Sequence, residues 1–241
     1  MAEIHYAIPD VHGRLDLLDR AYDAIVAHAD GRQARVVFLG DAIDRGPNSR
    51  GCIDRLIAGA GQPNFLPQVN LMGNHEAFMI KALGGDTREA GHWLVNGGEE
   101  TLRSYDPNIR PTVAAAKALA LPPGHAQWLA NLRYFHQTET HIFVHAGIPP
   151  GTTVEQAAAG EEGRHWLIWI RYAFLEGDHD FGKHVIHGHS PVGMVDFHEE
   201  PKFRTNLDHG AVYRGVLAIG VVMPGARGRP EILRIGEEVE A

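Results

Sequence analysis

Asp10 and His12, in the run PDVHG, are the first two side chains able to act as a pair. At alternate positions of extended backbone they point the same way and can grip one ion. Four further clusters follow: Asp41, Asp44 and Arg45 in GDAIDRGP, Asn74 and His75 in GNHE, His145 in HAG, and His187 and His189 in HGHSP. Each contains a glycine, which lets the backbone turn sharply or approach a ligand closely. Carboxylates, an amide and imidazoles together suit divalent metals such as manganese, iron or zinc. Two carboxylates and several histidines exceed what one ion needs. A bridging carboxylate, for which Asp41 is the natural choice, can hold two ions ~3.5–4 Å apart, acidify a shared water and polarise a phosphoryl oxygen. Asn74 and His75 are neighbours. In extended backbone they face opposite sides, one towards the ions and one towards the substrate. Any one of these clusters alone is more often a turn or a surface histidine. It is their joint occurrence, each after an apolar run, that marks a site.

The elements needed to bring these clusters together are legible. IHYAI (residues 4–8), ARVVFLG (34–40) and QVNLMG (68–73) read as strands. Between and after them, residues 14–29, 49–60 and 76–85 carry helical apolar spacing, the second opened by Asn48 or Ser49 as N-cap. Strand, loop and helix repeat three times, the mark of an α/β sheet with crossover helices, whose sites lie at the carboxyl ends of the strands. The middle, about 87–133, is helical in pattern and broken by DPN and LPPG. The later strands HIFVHAG, KHVIHG, GVLAIGVVM and EILRIG have little helix between them, which suggests a more antiparallel sheet.

The chain of 241 residues can bury a core, and 44% hydrophobic against 22% charged residues excludes a disordered chain. A net charge of −8 makes it a poor generic binder of nucleic acid or anionic membrane. An anionic substrate needs positive charge within the site. The single cysteine, Cys52, excludes an intrachain disulfide and a thiolate metal cluster and fits a reducing compartment. The N-terminus lacks a signal-peptide pattern, and no apolar run approaches the roughly 18 residues of a membrane span. The expected location is cytoplasmic, with neither nucleic acid nor membrane as partner; no feature fixes an oligomeric state. Sixteen histidines point again to a histidine-rich site.

In this order, PDVHG, GDAIDRG, GNHE, HAG and HGH resemble the motifs of the metallophosphoesterases, most closely the bacterial and phage branch of the phosphoprotein phosphatase family. The motifs run from Asp10 to His189, most of the chain. The resemblance implies an α/β fold, a central β-sandwich of mixed sheets flanked by helices, as in the calcineurin-like metallophosphoesterases. It implies a single domain over 1–241 with a mainly helical cap at about 87–133. It also implies two divalent ions, manganese foremost, with iron, zinc, nickel or cobalt as alternatives. One ion would be held by Asp10, His12 and Asp41, the other by Asp41, Asn74, His145 and His189. His75 matches the catalytic histidine that protonates the leaving oxygen, and Asp44 the carboxylate that orients it and raises its pKa. Arg45 matches a phosphate-gripping arginine; Arg171, in IWIRYAF, matches the second on a looser motif. Asn74 joins the two arginines among the substrate contacts. His187 is then a buried strand residue, and Glu76 the acidic first turn of the next helix.

The implied reaction is hydrolysis of phosphomonoesters by attack of a hydroxide shared between the two metals. The implied substrates are phosphoserine and phosphothreonine in proteins, with small phosphoesters besides. The alternative is a bis(5'-nucleosyl)-tetraphosphatase acting on diadenosine tetraphosphate. Those enzymes resemble this chain but commonly carry alanine where Asp44 stands and GNHD where GNHE stands, so Asp44 and Glu76 favour the protein phosphatase. A non-catalytic scaffold is disfavoured, because His75, Asp44 and every expected ligand are present. Pro9 stands where many members have glycine, and leaves the Asp10 side chain free. HWLVNGGEETLRSY (92–105) resembles a segment that covers the site in bacterial members. Trp93, Trp166 and Trp169 read as core.

Overall fold

The computed structural model describes residues 3–193 and 201–236. The elements are β1 (Ile4–Ile8), α1 (Leu15–Ala29), β2 (Ala34–Phe38), α2 (Ser49–Ala58), β3 (Val69–Asn70) and α3 (Asn74–Leu83). Four helices follow: α4 (Thr87–Trp93), α5 (Glu99–Tyr105), α6 (Val113–Ala118) and α7 (Pro123–Ala130). Then come β4 (Phe135–Gln137), β5 (His141–Val144), α8 (Val154–Ala159), α9 (Glu161–Trp169), α10 (Tyr172–Leu175), β6 (His184–His187), β7 (Arg204–Asn206), α11 (Ala211–Arg214), β8 (Leu217–Val222) and β9 (Glu231–Ile235).

Two mixed sheets form a sandwich. One has the order β3-β2-β1-β8-β9, the other β4-β5-β6-β7. In the first sheet β1, β2 and β3 are parallel, with Ile4 opposite Ala34 and Ile8 opposite Phe38, while β8 and β9 are antiparallel additions. Side chains alternate between faces along a strand, and both faces are apolar because both are covered. Tyr6, Ile8, Val36 and Phe38 pack under Leu18, Tyr22 and Ile25 of α1. Ala7, Val37 and Leu39 face the second sheet and meet Phe143, Ile186 and Leu207. The outer side of the second sheet, through Ile142, Val144 and Val185, is closed by Val154, Leu167 and Phe174 of α8–α10.

Three sequence expectations change. The late strands divide: β5, β6 and β7 run parallel, because α8–α10 supply the crossover between β5 and β6, while β8 and β9 are antiparallel as expected. Strand β3 is only two residues long, and beyond its pairing with β2 the segment exchanges backbone bonds with Arg133 through Asn70 and Met72. Helix α3 starts at Asn74, with Gly73 as N-cap, so Asn74 and His75 lie in its first turn and not in extended backbone. Their divergence comes from the ~100° step of a helix. At α2 the cap is Asn48, whose side chain accepts from Gly51 N–H at 2.9 Å.

The helices within 87–133 are present, and Ala90, Trp93, Leu102, Ala116 and Leu129 join the core that α1 covers. Among the described residues no helix is long and apolar enough to cross a membrane. The parallel strands of both sheets end at one pole of the sandwich, and the loops after them carry the chemistry.

Candidate active site

Asp41, just after β2, is the hub. Its Oδ2 lies 3.5 Å from His145 Nε2, 3.6 Å from His12 Nε2 and 4.0 Å from His75 Nε2. Two groups of potential ligand atoms share it: His12, Asp41 and His75, and Asp41, His145 and His189. Asp10 stands differently from the sequence expectation. Its carboxylate oxygens accept the His189 N–H at 3.0 and 3.1 Å, which ties the loop after β1 to the loop after β6. His75 falls in the first of those groups only at the longest reach, 4.0 Å from Asp41 Oδ2, and its Nδ1 is committed to Asp44, which sets it apart from the ligands; Asp10 stands outside both groups.

The tautomers follow from backbone carbonyls. His12 Nδ1–H donates to Ile43 O at 2.8 Å and His145 Nδ1–H to Leu39 O at 3.0 Å, so each Nε2 presents a bare lone pair. His145 Nε2 faces Asn74 Oδ1 at 3.0 Å as well as Asp41 Oδ2 at 3.5 Å, so a ring nitrogen and two oxygens converge. His189 Nε2 is buried without a hydrogen-bond partner. Buried lone pairs that converge in this way fit divalent cations, and the mixed oxygen and nitrogen set is the kind such ions take. Asp41, Asn74, His145 and His189 are brought together; His12 completes the other side.

His75 Nδ1–H donates to Asp44 Oδ2 at 2.6 Å. Its Nε2 accepts from Arg45 at 2.9 Å, and the other arm of that guanidinium donates to His12 Nε2 at 2.6 Å. Arg171, at the start of α10, adds positive charge felt by His75, His145 and His189. Among the described residues its guanidinium has no hydrogen-bond partner. His187 is buried at the end of β6, edge-on to Phe174 at 5.1 Å, in the strand role expected of it.

Burial sets the electrostatics. It pushes Asp10 up to about 6, and Asp41, Asp44 and Glu76 up to about 7. Burial and neighbouring cationic groups hold His12, His75 and His189 well below the usual imidazole range. For His75 this reverses the expected rise: burial and Arg45 outweigh the carboxylate beside it.

Five residues here have left-handed backbone: His12 (φ 43°), Asp41 (60°), Asp44 (75°), Arg45 (69°) and His189 (69°). Such strain persists only where the surroundings over-determine it.

Several contributors escape the sequence reading. Glu76 is fully buried and accepts three backbone N–H groups, from Asp41 at 2.9 Å, Ala42 at 2.7 Å and Gly73 at 3.0 Å. Its reach back to the N-cap is legible as capping-box spacing; its hold on the Asp41 loop is not. Asp208 is buried beside Asp10 and follows β7, the strand-end position that marks the others. Trp93, Thr101 and Ser49 surround Asp44, with the Trp93 N–H at 2.9 Å and the Thr101 hydroxyl at 2.6 Å from Oδ1. Trp93 is core as expected, whereas Trp166 is 42% exposed and Trp169 stands edge-on to His189 at 5.9 Å.

Known proteins are similar to this chain in sequence and in fold. The chain is 28% identical to serine/threonine-protein phosphatase 1 of Salmonella typhimurium over 217 residues, 89% of each chain. It is 24% identical over 156 residues to the symmetrical bis(5'-nucleosyl)-tetraphosphatase of Nitrosomonas europaea, covering 63% of this chain and 47% of that one. The chain thus spans about half the length of that relative. A solved structure provisionally named a diadenosine tetraphosphatase superposes with a TM-score of 0.63 at 18% identity, over 98% of this chain and 95% of that one, a likeness of fold. The profile of the calcineurin-like phosphoesterases matches residues 6–215, from the strand before Asp10 to the loop beyond Asp208, and the chain belongs to that family of metallophosphoesterases.

Proposed function

We propose that this protein is a metal-dependent phosphomonoesterase whose main substrates are phosphoserine and phosphothreonine side chains of proteins. The observation that carries the reading is the His75–Asp44 contact of 2.6 Å beside the Asp41-centred ligand set. It gives a proton donor of fixed orientation next to a place for cations. His12, Asp41, Asn74, His145 and His189 would hold divalent cations, manganese foremost, which when bound would supply positive charge to phosphoryl oxygens and lower the pKa of a water.

The chain's own residues do the rest. Arg45 transfers its N–H groups from His12 and His75 to phosphate oxygens, and Arg171 offers a second fork. With the guanidinium turned to a dianion, His75 Nε2 is freed and its protonation favoured. Nε2 then gives its proton to the departing serine or threonine oxygen, a poor leaving group without one. Asp44 holds Nδ1–H throughout and balances the imidazolium. Asn74, in the first turn of α3, shares the Asp41 side of the site with His145.

Similarity over 89% of both chains to a serine/threonine-protein phosphatase supports the protein substrate, against about half the length of a tetraphosphatase. The test is a comparison of kcat/KM on a phosphoserine peptide and on diadenosine tetraphosphate with Mn²⁺. The expected result is the higher value on the peptide; the reverse order would place this chain with the tetraphosphatases.

A further inference from the structure

Between α4 and α5 the chain kinks at Leu94–Gly98, where Gly97 takes a non-helical φ of 104° and ψ of 10°. Leu94 packs against the core, whereas Val95 is 83% exposed. The kink also contacts the Asp44–Arg45 loop. Gly97 O accepts the Arg45 N–H at 3.1 Å, and a Cβ on Gly97 would lie 2.6 Å from that nitrogen. A Cβ on Gly98 would lie 2.8 Å from atoms of the Trp93 ring. Both glycines of VNGG are therefore required by close approach.

On either side of the kink stand Trp93 and Thr101, both fully buried. Trp93 Nε1–H donates to the two oxygens of Asp44 at 2.9 and 3.0 Å. Thr101 has one hydroxyl proton, and the 2.6 Å contact to Asp44 Oδ1 claims it. Thr101 Oγ1 in turn accepts the Asp44 N–H at 3.0 Å and sits 2.8 Å from Ser49 Oγ. Asp44 and Arg45 both have left-handed backbone, and this segment supplies partners to the N–H of each.

We propose that Trp93 and Thr101 are positioning residues for the phosphoesterase reaction, fixing the plane of the Asp44 carboxylate so that His75 is aimed at the leaving oxygen. The inference rests on the assignment of His75 as the proton donor. Residues 93–101 thus act beneath the acid, in addition to any covering role.

Leaving-group dependence tests it, because proton donation matters for a poor leaving group and little for a good one. The readout is the ratio of kcat on 4-nitrophenyl phosphate to kcat on phenyl phosphate, with Mn²⁺ present. Thr101→Val should raise that ratio roughly tenfold, the worth of one hydrogen bond to a charged group. Thr101→Ser, which restores the hydroxyl, should return it to the wild-type value. Trp93→Phe keeps the ring and deletes only the N–H; it should raise the ratio too, and serves if Thr101→Val does not fold. His75→Asn is the reference and should raise the ratio most. If Thr101→Val and Trp93→Phe slow both substrates equally while His75→Asn raises the ratio, the positioning role is overturned and the assignment of His75 stands. If His75→Asn leaves the ratio unchanged, the assignment itself fails and the positioning role fails with it.

Discussion

Glu76 holds together what the metal ligands only share. One carboxylate binds the N–H groups of Asp41, Ala42 and Gly73, and so locks the strained Asp41 backbone to the start of α3. Glu76→Gln replaces one acceptor oxygen by a donor, which leaves at least one buried N–H without a partner. The expected cost is about 1–3 kcal/mol of stability, read by chemical denaturation, together with weaker metal binding. Asp41→Asn is expected to lose both ions by elemental analysis, because its Oδ2 is common to both ligand groups; retention of two ions would remove its bridging role. At this scale the residues that gather around Asp41 were legible because each stands at a strand end in a short run with glycine. Glu76, Trp93 and Thr101 were not, because their partners lie some 30 to 60 positions away, at distances in sequence that local spacing does not encode.

The placement of Asn74 and His75 is a property of α3. As the first two residues of a helix behind Gly73, they diverge by the helical step, and Asn74 meets His145 while His75 meets Asp44. Gly73 is needed because a Cβ there would stand 2.1 Å from Asp41 Oδ1. Gly73→Ala is expected to cost about 1–3 kcal/mol as overpacking and to lower metal content by displacing Asp41. Thermal melts and elemental analysis on one preparation check both. The sequence places α1 and α2 to within two residues, since their apolar period and the Asn48 cap are local signals. It misses the start of α3, because a glycine N-cap has no side chain to announce it. It also misreads the second sheet, because α8–α10 carry weaker periodicity than α1 and their crossover is easily taken for loop.

Across the whole molecule, the sandwich gathers buried titratable groups of opposite tendency. At the pole away from the site, burial lowers His136 and His184 to about 4. Their stability contribution is present above the unfolded imidazole value, near 6.5, and is lost as pH falls towards 4. Compared in thermal melts with a His136→Gln, His184→Gln double variant, the native chain should therefore lose more Tm between about pH 6.5 and 4. Carboxylates of the site run the other way. With Asp41, Asp44 and Glu76 raised to about 7, the metal-free fold is favoured below their unfolded values and weakens as pH rises through 7. Bound cations reverse this, because they need the carboxylates ionised. The gap in Tm between the Mn²⁺-loaded and chelated protein should widen from pH 6 to pH 8; a gap that narrows would contradict the site's electrostatics. The central claim is that ligands and proton donor are separate groups within one site. It is tested most directly by measuring kcat and bound metal on the same sample of His75→Asn. Two ions per chain should be retained and kcat lowered roughly 10²–10⁴-fold, the usual worth of a general acid. Loss of metal along with activity, or an unchanged kcat, would contradict it.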